Sequence, residues 1–573
     1  MKQFDRGKKV SNELGDFTTT TRLLKISALA LGIGAVSAFV ALGLLKSIAL
    51  FTNIFFYQRI GVDGVQPAGH HLGPLVIVVP IIGGLIIGLM ARYGSERIRG
   101  HGIPEAIEAI LLNGSRVEPK LAILKPVSSA ISIGSGGPFG AEGPIIMTGG
   151  AFGSMAAQFF RLSSTERKTL LVAGAAGGMS ATFASPVAAA MLGAELLLFE
   201  WKPRSLIPVA LASATAAVIR RHLLGLGPLF QAPIHPAAVS PNGLLFCALA
   251  GLLAGMLSTV LTSLVYWSED TFHKVPIHWM WWPAIGGLFI GLGGLVFPQA
   301  LGVGYETIAD LIEGDVPGRI LIGILAVKAA IWALALGSGT SGGVLAPLLM
   351  IGGALGGVES MFFPNEGVGF WPLISMGAIL GGTMRVPFTA VIFALELTHD
   401  LNAFLPLFIG VIVAYAFTVL VMKRSILTEK VSRRGFHLSR EYAMDPLEVL
   451  FVRQVMRRSV LTLQHGSNLR GLLQTVNQAG SAQRLFPVID AKGSLMGVLT
   501  RRDLRNIEDR AVTLAEVIKR HAVTAFPDEP LRVVVYRMAE TGFTQMPVVE
   551  RQDSRKVGNY FTRGFATGQS SGP

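Results

Sequence analysis

One cysteine, Cys247, stands in 573 residues, so no disulfide can close within the chain and no cysteine-based metal site can be built. Charge is scarce as well. Asp, Glu, Lys and Arg make up only 15% of the residues, against about 25% in ordinary soluble domains, while 51% are hydrophobic and the mean hydropathy is +0.54. Such a chain belongs in a bilayer. H-E-x-x-H and phosphate-loop patterns are missing, and the 11 histidines are scattered without ligand spacing, which argues against an enzyme and against a metal centre. Basic stripes interleaved with aromatics are missing too. The net charge of +13 therefore points to cytoplasmic loops and an anionic lipid surface and away from nucleic acid.

Apolar sequence broken by glycine and proline is abundant. Runs such as "LLKISALALGIGAVSAFVALGLL" and "LPLFIGVIVAYAFTVLVM" recur from about residue 23 to residue 422, several near the roughly 20 residues a spanning helix needs. The 68 glycines and 30 prolines fall largely in this part, so many helices are expected to be tilted, broken or half-spanning, their ends buried in protein. The expected fold class is an all-α multi-pass membrane protein, followed by a smaller α/β region. The polar, basic residues 1–22 are expected to stay cytoplasmic and uncleaved.

The membrane part repeats itself. "GSGGPFGAEGPIIMTGGAFGS", from Gly134, lies over "GSGTSGGVLAPLLMIGGALGG", from Gly337, at an offset of 203 that pairs Gly134, Gly136, Pro144 and Gly149 with Gly337, Gly339, Pro347 and Gly352. "SPVAAAMLGAELL" then matches "VPFTAVIFALELT" at 201, pairing Pro186 with Pro387 and Glu195 with Glu396. Two halves, about 23–220 and 243–438, share one plan. Broken helices at corresponding positions of two halves mark a transport site near the bilayer midplane.

Each matched segment runs from a Gly-rich loop through Pro into an apolar helix, and "GHGIPEAIEAILL", Gly100 to Leu112, has the same form. Helix N-termini carry unpaired N–H groups and partial positive charge, so several converging in low dielectric hold a small anion without a full positive charge. A sodium or magnesium pathway needs clustered carboxylates or aligned carbonyls, which the sequence does not offer. Glu142 stands alone in "GPFGAEGPIIMTGG", and an ionisable residue inside a membrane is a functional candidate by default. A simple helix cap or a side chain snorkelling to the interface is the bland alternative.

These motifs resemble those of the CLC family of chloride channels and chloride/proton antiporters, over residues from about 23 to 438, with a CBS-domain pair over 439–573. "GAEGP" is similar to G-[KR]-E-G-P, "GHGIP" to G-S-G-I-P and "GGVLAP" to G-G-x-F-x-P. The resemblance implies that Glu142 is the gating glutamate, whose carboxylate mimics the anion and swings away when protonated or displaced. It implies anion contacts from His101, Gly102, Ile103, Gly140, Ala141, Gly143, Val344 and Leu345, the last two through backbone N–H groups, and it makes Lys125 a pathway charge. It also implies a homodimer joined through helices around 186–220 and 387–422. The partners are then chloride or a similar anion, the lipid bilayer and, in an exchanger, protons.

The chain departs from that pattern in three places. His101 replaces a serine, and Leu427 stands where the central tyrosine belongs, so both side-chain ligands of the central anion are altered. The inner proton glutamate of the coupled members falls on Leu196; Glu195, one residue earlier, and Glu200, one turn later, are the remaining proton-route candidates, though the repeat partner Glu396 suggests a structural role for Glu195, and Trp201 with "KPRS" an interfacial position for Glu200. A passive, voltage-gated-type chloride channel is accordingly the expected function. A chloride/proton antiporter with another proton route is the alternative, and a nucleotide-sensing protein whose soluble end regulates the anion pathway is a further one.

After "RRGFHLSREYAMDPLEVLF" the pattern turns to α/β. Residues of about 452–508 and 512–565 resemble two CBS repeats. Thr500 and Asp503 match an element that in some members binds phosphate and ribose, so no cofactor is required but an adenine nucleotide is allowed. The second repeat ends atypically, with "NYFTRGFATGQSSGP" where a strand and a T-x-x-D helix are expected. The chain is expected in the plasma membrane, or the inner membrane of a bacterium, with the N-terminus and CBS pair cytoplasmic.

Overall fold

A computed structural model describes residues 21–435 except 112, 161, 237 and 315, and then 447, 450–457, 460–466, 483–505, 518, 522–529, 531–550 and 557–563. The chain divides into two units, Met1–Arg440 and Glu441–Pro573. That division and the expected boundary after 438 both fall outside the described residues.

The first half of the large unit is helical throughout: α1 (Arg22–Tyr57), α2 (Val78–Tyr93), α3 (Ile103–Leu111), α4 (Leu121–Gly134), α5 (Glu142–Phe159), α6 (Ser164–Phe183), α7 (Pro186–Leu192, prolonged by a π turn over Gly193–Leu198) and α8 (Pro203–Leu224). The second half repeats the order with α9 (Pro241–Lys274), α10 (Trp282–Val296), α11 (Tyr305–Glu313), α12 (Gly318–Gly323), a π turn over Ile324–Lys328, α13 (Ala329–Gly337), α14 (Leu345–Glu359), α15 (Phe370–Met384), α16 (Pro387–Thr398) and α17 (Phe404–Val421). A short α18 (Ile426–Arg433) follows. Among the described residues seven segments are long and apolar enough to cross a membrane. The shorter apolar helices, such as Leu345–Glu359 and Pro387–Thr398, are the half-spanning pieces that the Gly and Pro content implies.

Two contacts show how the halves are related. Where α2 crosses α10, a Cβ on Gly84 would strike the Pro283 carbonyl and one on Gly287 the Pro80 carbonyl; likewise Gly88 faces Met280 and Gly291 faces Ile77. Glycine at these points lets the two backbones touch. Each contact is its partner's image under the repeat offset, and the C-terminal part of one helix meets the N-terminal part of the other. The crossing is therefore antiparallel about a two-fold axis, which in a bilayer makes the halves inverted.

The second contact is a pair of exchanged caps. Glu195 accepts from the backbone N–H of Phe388 (3.3 Å) and Thr389 (2.8 Å) at the start of α16, and Glu396 accepts from those of Val187 (2.9 Å) and Ala188 (2.8 Å) at the start of α7. Proline at the first position of both helices sets φ and removes an orphan donor. A carboxylate on the remaining donors is a strong, charge-assisted cap.

In the small unit β1 (Leu463–Gln464), β2 (Leu485–Ile489) and β3 (Leu495–Thr500) form one sheet, parallel between β1 and β2 and antiparallel between β2 and β3, over buried Leu463, Phe486, Val488 and Leu499. A second core joins Val452 of the short α19 (Val452–Val455) to Val534 of α21 (Leu531–Thr541) and to Met546 and Val548 of β4 (Gln545–Val549). A helix, α20 (Arg501–Arg505), follows β3. The atypical end needs correction: "VGNYFTR" is a strand, β5 (Val557–Arg563), antiparallel to β4, as its Val, Tyr, Phe and Thr favour. The rest of that end lies outside the described residues.

Candidate anion site

The two matched glycine loops meet. Gly140 and Gly343, repeat mates, exchange backbone hydrogen bonds of 3.3 Å and 2.8 Å across an antiparallel bridge. Gly136 and Gly339, also repeat mates, take φ of 99° and 81° in the turns that lead there, a conformation that glycine adopts without a Cβ penalty. Two residues beyond the bridge on each strand a helix begins, α5 with Glu142 and α14 with Leu345. Both helix N-termini thus start from a single two-residue ladder on the pseudo-two-fold axis.

Glu142 is fully buried. Its side chain folds back across the ladder, so that Oε1 accepts from the Ala346 N–H at 3.2 Å and Oε2 stands 2.5 Å from where a Cβ on Gly343 would lie. Oε2 has no hydrogen-bond partner among the described residues. A carboxylate oxygen here occupies the place that the N–H groups and dipole of α14 make for an anion. The amide that reaches it is Ala346's, one beyond Val344 and Leu345. Val344 is the N-cap, where the carbonyl is engaged by the Leu348 N–H, and the N–H at the second helical position is the one that opens toward a capping acceptor.

The start of α3 lies under the first turn of α5. A Cβ on Gly143 would strike the His101 carbonyl, and one on Gly102 would come 2.6 Å from the Gly143 carbonyl oxygen, which is why both positions are glycine. Gly102, at φ 85°, donates its N–H to Glu105 at 3.0 Å; Ile103, Gly140 and Ala141 are buried beside it. His101 is 5% exposed, and its Nδ1 has no partner among the described residues. Lys125 is fully buried, with all three protons bonded: to the carbonyls of Ile98 and Gly100 at 2.7 Å each and to the Ser341 hydroxyl at 3.1 Å. It ties the α3 loop to the glycine loop of the other half. Helix α18 closes this side, held by the Tyr266 hydroxyl on the Ile426 carbonyl at 2.5 Å and by a Lys430–Glu105 ion pair of 2.7 Å, and it buries Leu427.

The other sequence candidates lie elsewhere. Glu195 is engaged on both oxygens at the start of α16, with a further bond from the Thr389 hydroxyl at 2.6 Å, which is a capping position. Glu200 accepts from the Ser205 hydroxyl at 2.7 Å at the start of α8 and lies 3.7 Å from Lys202. Thr500 and Asp503 bond one another: Asp503 accepts from the Thr500 hydroxyl (2.7 Å) and N–H (2.9 Å), and its own N–H donates to the Thr500 hydroxyl (3.2 Å). That is the reciprocal cap of α20.

Sequence reasoning missed Glu105, Lys430, Ala346, Lys328 and Tyr305. For the last two a signal existed, because an offset of 203 carries Lys125 onto Lys328 and one of 202 carries "GHGIP" onto "GVGYE". Lys328, fully buried, donates to the Gly302 carbonyl at 2.7 Å, as Lys125 does to Gly100.

Broken helices inverted about an axis, with two N-termini and one carboxylate on that axis, define a multi-pass membrane protein with a candidate anion site. Residues 83–419 match the family model of the voltage gated chloride channel, and 452–509 and 514–558 match the CBS domain; the chain belongs to the CLC family and carries a C-terminal CBS pair. It is 29% identical to the H(+)/Cl(-) exchange transporter ClcA of Salmonella paratyphi B, over 67% of this chain and 84% of that one. It is 25% identical to chloride channel protein CLC-f of Arabidopsis thaliana, over 83% and 70%. The crystal structure of a slow cyanobacterial Cl-/H+ antiporter shares the fold, with a TM-score of 0.64 at 20% identity over 73% of this chain and 99% of that one.

Proposed function

We propose that this chain moves chloride or a similar small anion across the membrane by passive conduction, with Glu142 as the gate. The observation that carries the reading is the Glu142 carboxylate on the Ala346 N–H at the start of α14. Ionised, it competes with the anion for that helix end; protonated, it loses its attraction to the dipole and yields. The sign follows: as pH rises Glu142 ionises and holds the site, and flux falls. Passive conduction is supported by Glu195, whose oxygens serve the α16 cap, and by Leu196 at the inner acid position. Likeness to an exchange transporter supports proton-coupled exchange as the second reading.

Reconstitution into liposomes separates the two. Conduction predicts anion flux that follows the anion gradient alone; uphill proton movement driven by a chloride gradient replaces it with exchange. Homodimer assembly through the α7–α8 and α16–α17 surfaces, and a cytoplasmic CBS pair, belong to the same proposal. Nucleotide regulation has weaker support, because Thr500 and Asp503 cap α20. Calorimetry of the full chain with ATP, ADP and AMP tests it, and heat of binding for any of them restores it.

A further inference from the structure

Tyr305 opens α11, behind a left-handed Gly304 at φ 82°. Its ring is held edge-on by Phe183 at 6.3 Å and 89° and tilted against Phe230 at 6.3 Å, and Phe183 in turn rests edge-on against Phe393 at 5.3 Å. The hydroxyl at the end of this fixed ring is buried and has no hydrogen-bond partner among the described residues. Buried phenols normally find one, because an unmet polar group is costly. Gly304, the residue before Tyr305, lies against the Met350 side chain in the second turn of α14, the helix whose first turn holds the Glu142 carboxylate, and the Glu142 Oε2 atom is itself buried without a partner among the described residues. A fixed donor and an unmet acceptor therefore stand in one buried region. Tyr305 is the repeat mate of Ile103, so the inversion places it across the ladder from the His101 loop.

We infer that the Tyr305 hydroxyl receives the Glu142 carboxylate when that side chain leaves the start of α14, and so positions the displaced gate. The inference rests on Glu142 being the gate. A phenol donates to an ionised carboxylate in a short, charge-assisted bond and accepts from a protonated one, so with Tyr305 present both forms can leave the anion's place. Without the hydroxyl an ionised carboxylate has no donor in a low-dielectric site, and only the protonated form leaves.

The charged and titratable groups around Glu142 are otherwise engaged. Lys125 on α4 is bonded to Ile98, Gly100 and Ser341, Glu105 on α3 to Lys430, Glu108 on α3 to Arg434, and Glu359 at the far end of α14 to Ser375. Lys328 is bonded to Gly302, Arg22 to Glu166, Arg167 on α6 to the Gly114 and Leu162 carbonyls, Lys168 to the Leu198 carbonyl and Lys46 on α1 to the Val62 carbonyl. His101, whose Nδ1 has no partner among the described residues, is the exception.

Tyr305→Phe keeps the ring and removes only the hydroxyl. Chloride flux from liposomes containing the full chain is measured from acid to alkaline pH for wild type, Tyr305→Phe, Glu142→Ala and the double variant. The expected result is a loss of roughly tenfold in Tyr305→Phe at about pH 8, little change at about pH 5, and no effect of the substitution in the Glu142→Ala background. An equal loss at every pH, the same loss without Glu142, or no loss at all overturns the role of Tyr305. A Glu142→Ala profile that keeps the wild-type pH response overturns the gating reading instead, so the two failures are told apart.

Discussion

The two halves of the membrane unit are built alike and end differently at the one place where they meet. Both contribute a glycine to the axial ladder, a helix N-terminus two residues later, a buried lysine under a glycine carbonyl and a glutamate capping the other half. On the ladder itself the first half presents Glu142 and Ile103 where the second presents Leu345 and Tyr305. Symmetric parts make the frame, because a two-fold axis satisfies each helix end with its partner's groups. On the proposed reading the asymmetric parts carry the chemistry, since two carboxylates facing each other across one ladder cannot both stay ionised.

The largest test of this contrast removes the acid. Glu142→Ala is expected to raise anion flux at alkaline pH by about tenfold, the equivalent of about 1.4 kcal/mol, and to flatten the pH response in a liposome assay. Leu345→Ala, at the mate position, is expected to leave the pH response in place. If both flatten it, the gate does not lie in the asymmetry.

The lysines sharpen the comparison at the next level. Lys125 bonds two carbonyls and a hydroxyl, Lys328 one carbonyl, and an orphaned buried acceptor costs about 1–3 kcal/mol. Thermal unfolding of the full chain in detergent should therefore fall further for Lys125→Met than for Lys328→Met. An equal drop would mean that the shared position, not the hydrogen bonds, sets the loss.

The smallest expected effect concerns the exchanged caps. Glu195→Gln and Glu396→Gln each weaken one helix start, by about 0.5–2 kcal/mol. The same thermal measurement should show Glu195→Gln as slightly worse, because Glu195 also holds the Thr389 hydroxyl at 2.6 Å. A reversed order would show that the backbone bonds alone matter.

Much of the frame was legible in the sequence. Matched Gly-rich loops followed by proline identify the two helix starts, because glycine permits the left-handed turn and a proline in the first helical turn gives up no intrahelical hydrogen bond. Glu142 is conspicuous for the opposite reason, as a charge in sequence with almost none. Glu195 was legible in part: its repeat partner Glu396 suggests a structural role for both, and its two bonds to the start of α16 identify that role as a cap. Thr500 and Asp503 were ambiguous, since hydroxyl and carboxylate three residues apart suit a phosphate or each other equally well. Tyr305 carried no signal apart from its repeat position, because an unpartnered hydroxyl is a property of what surrounds it.

The sequence by itself determined that this chain lives in a bilayer, that its helices are broken in two corresponding places, and that one acid stands at one of the breaks. Hydropathy, glycine and proline act locally, and a single strand of sequence displays them. That the breaks meet on an axis, and that Ala346 is the amide under the carboxylate, comes from the folded chain alone. Those facts depend on contacts between residues about 200 positions apart, and close approach in space leaves no local mark on the residues that make it.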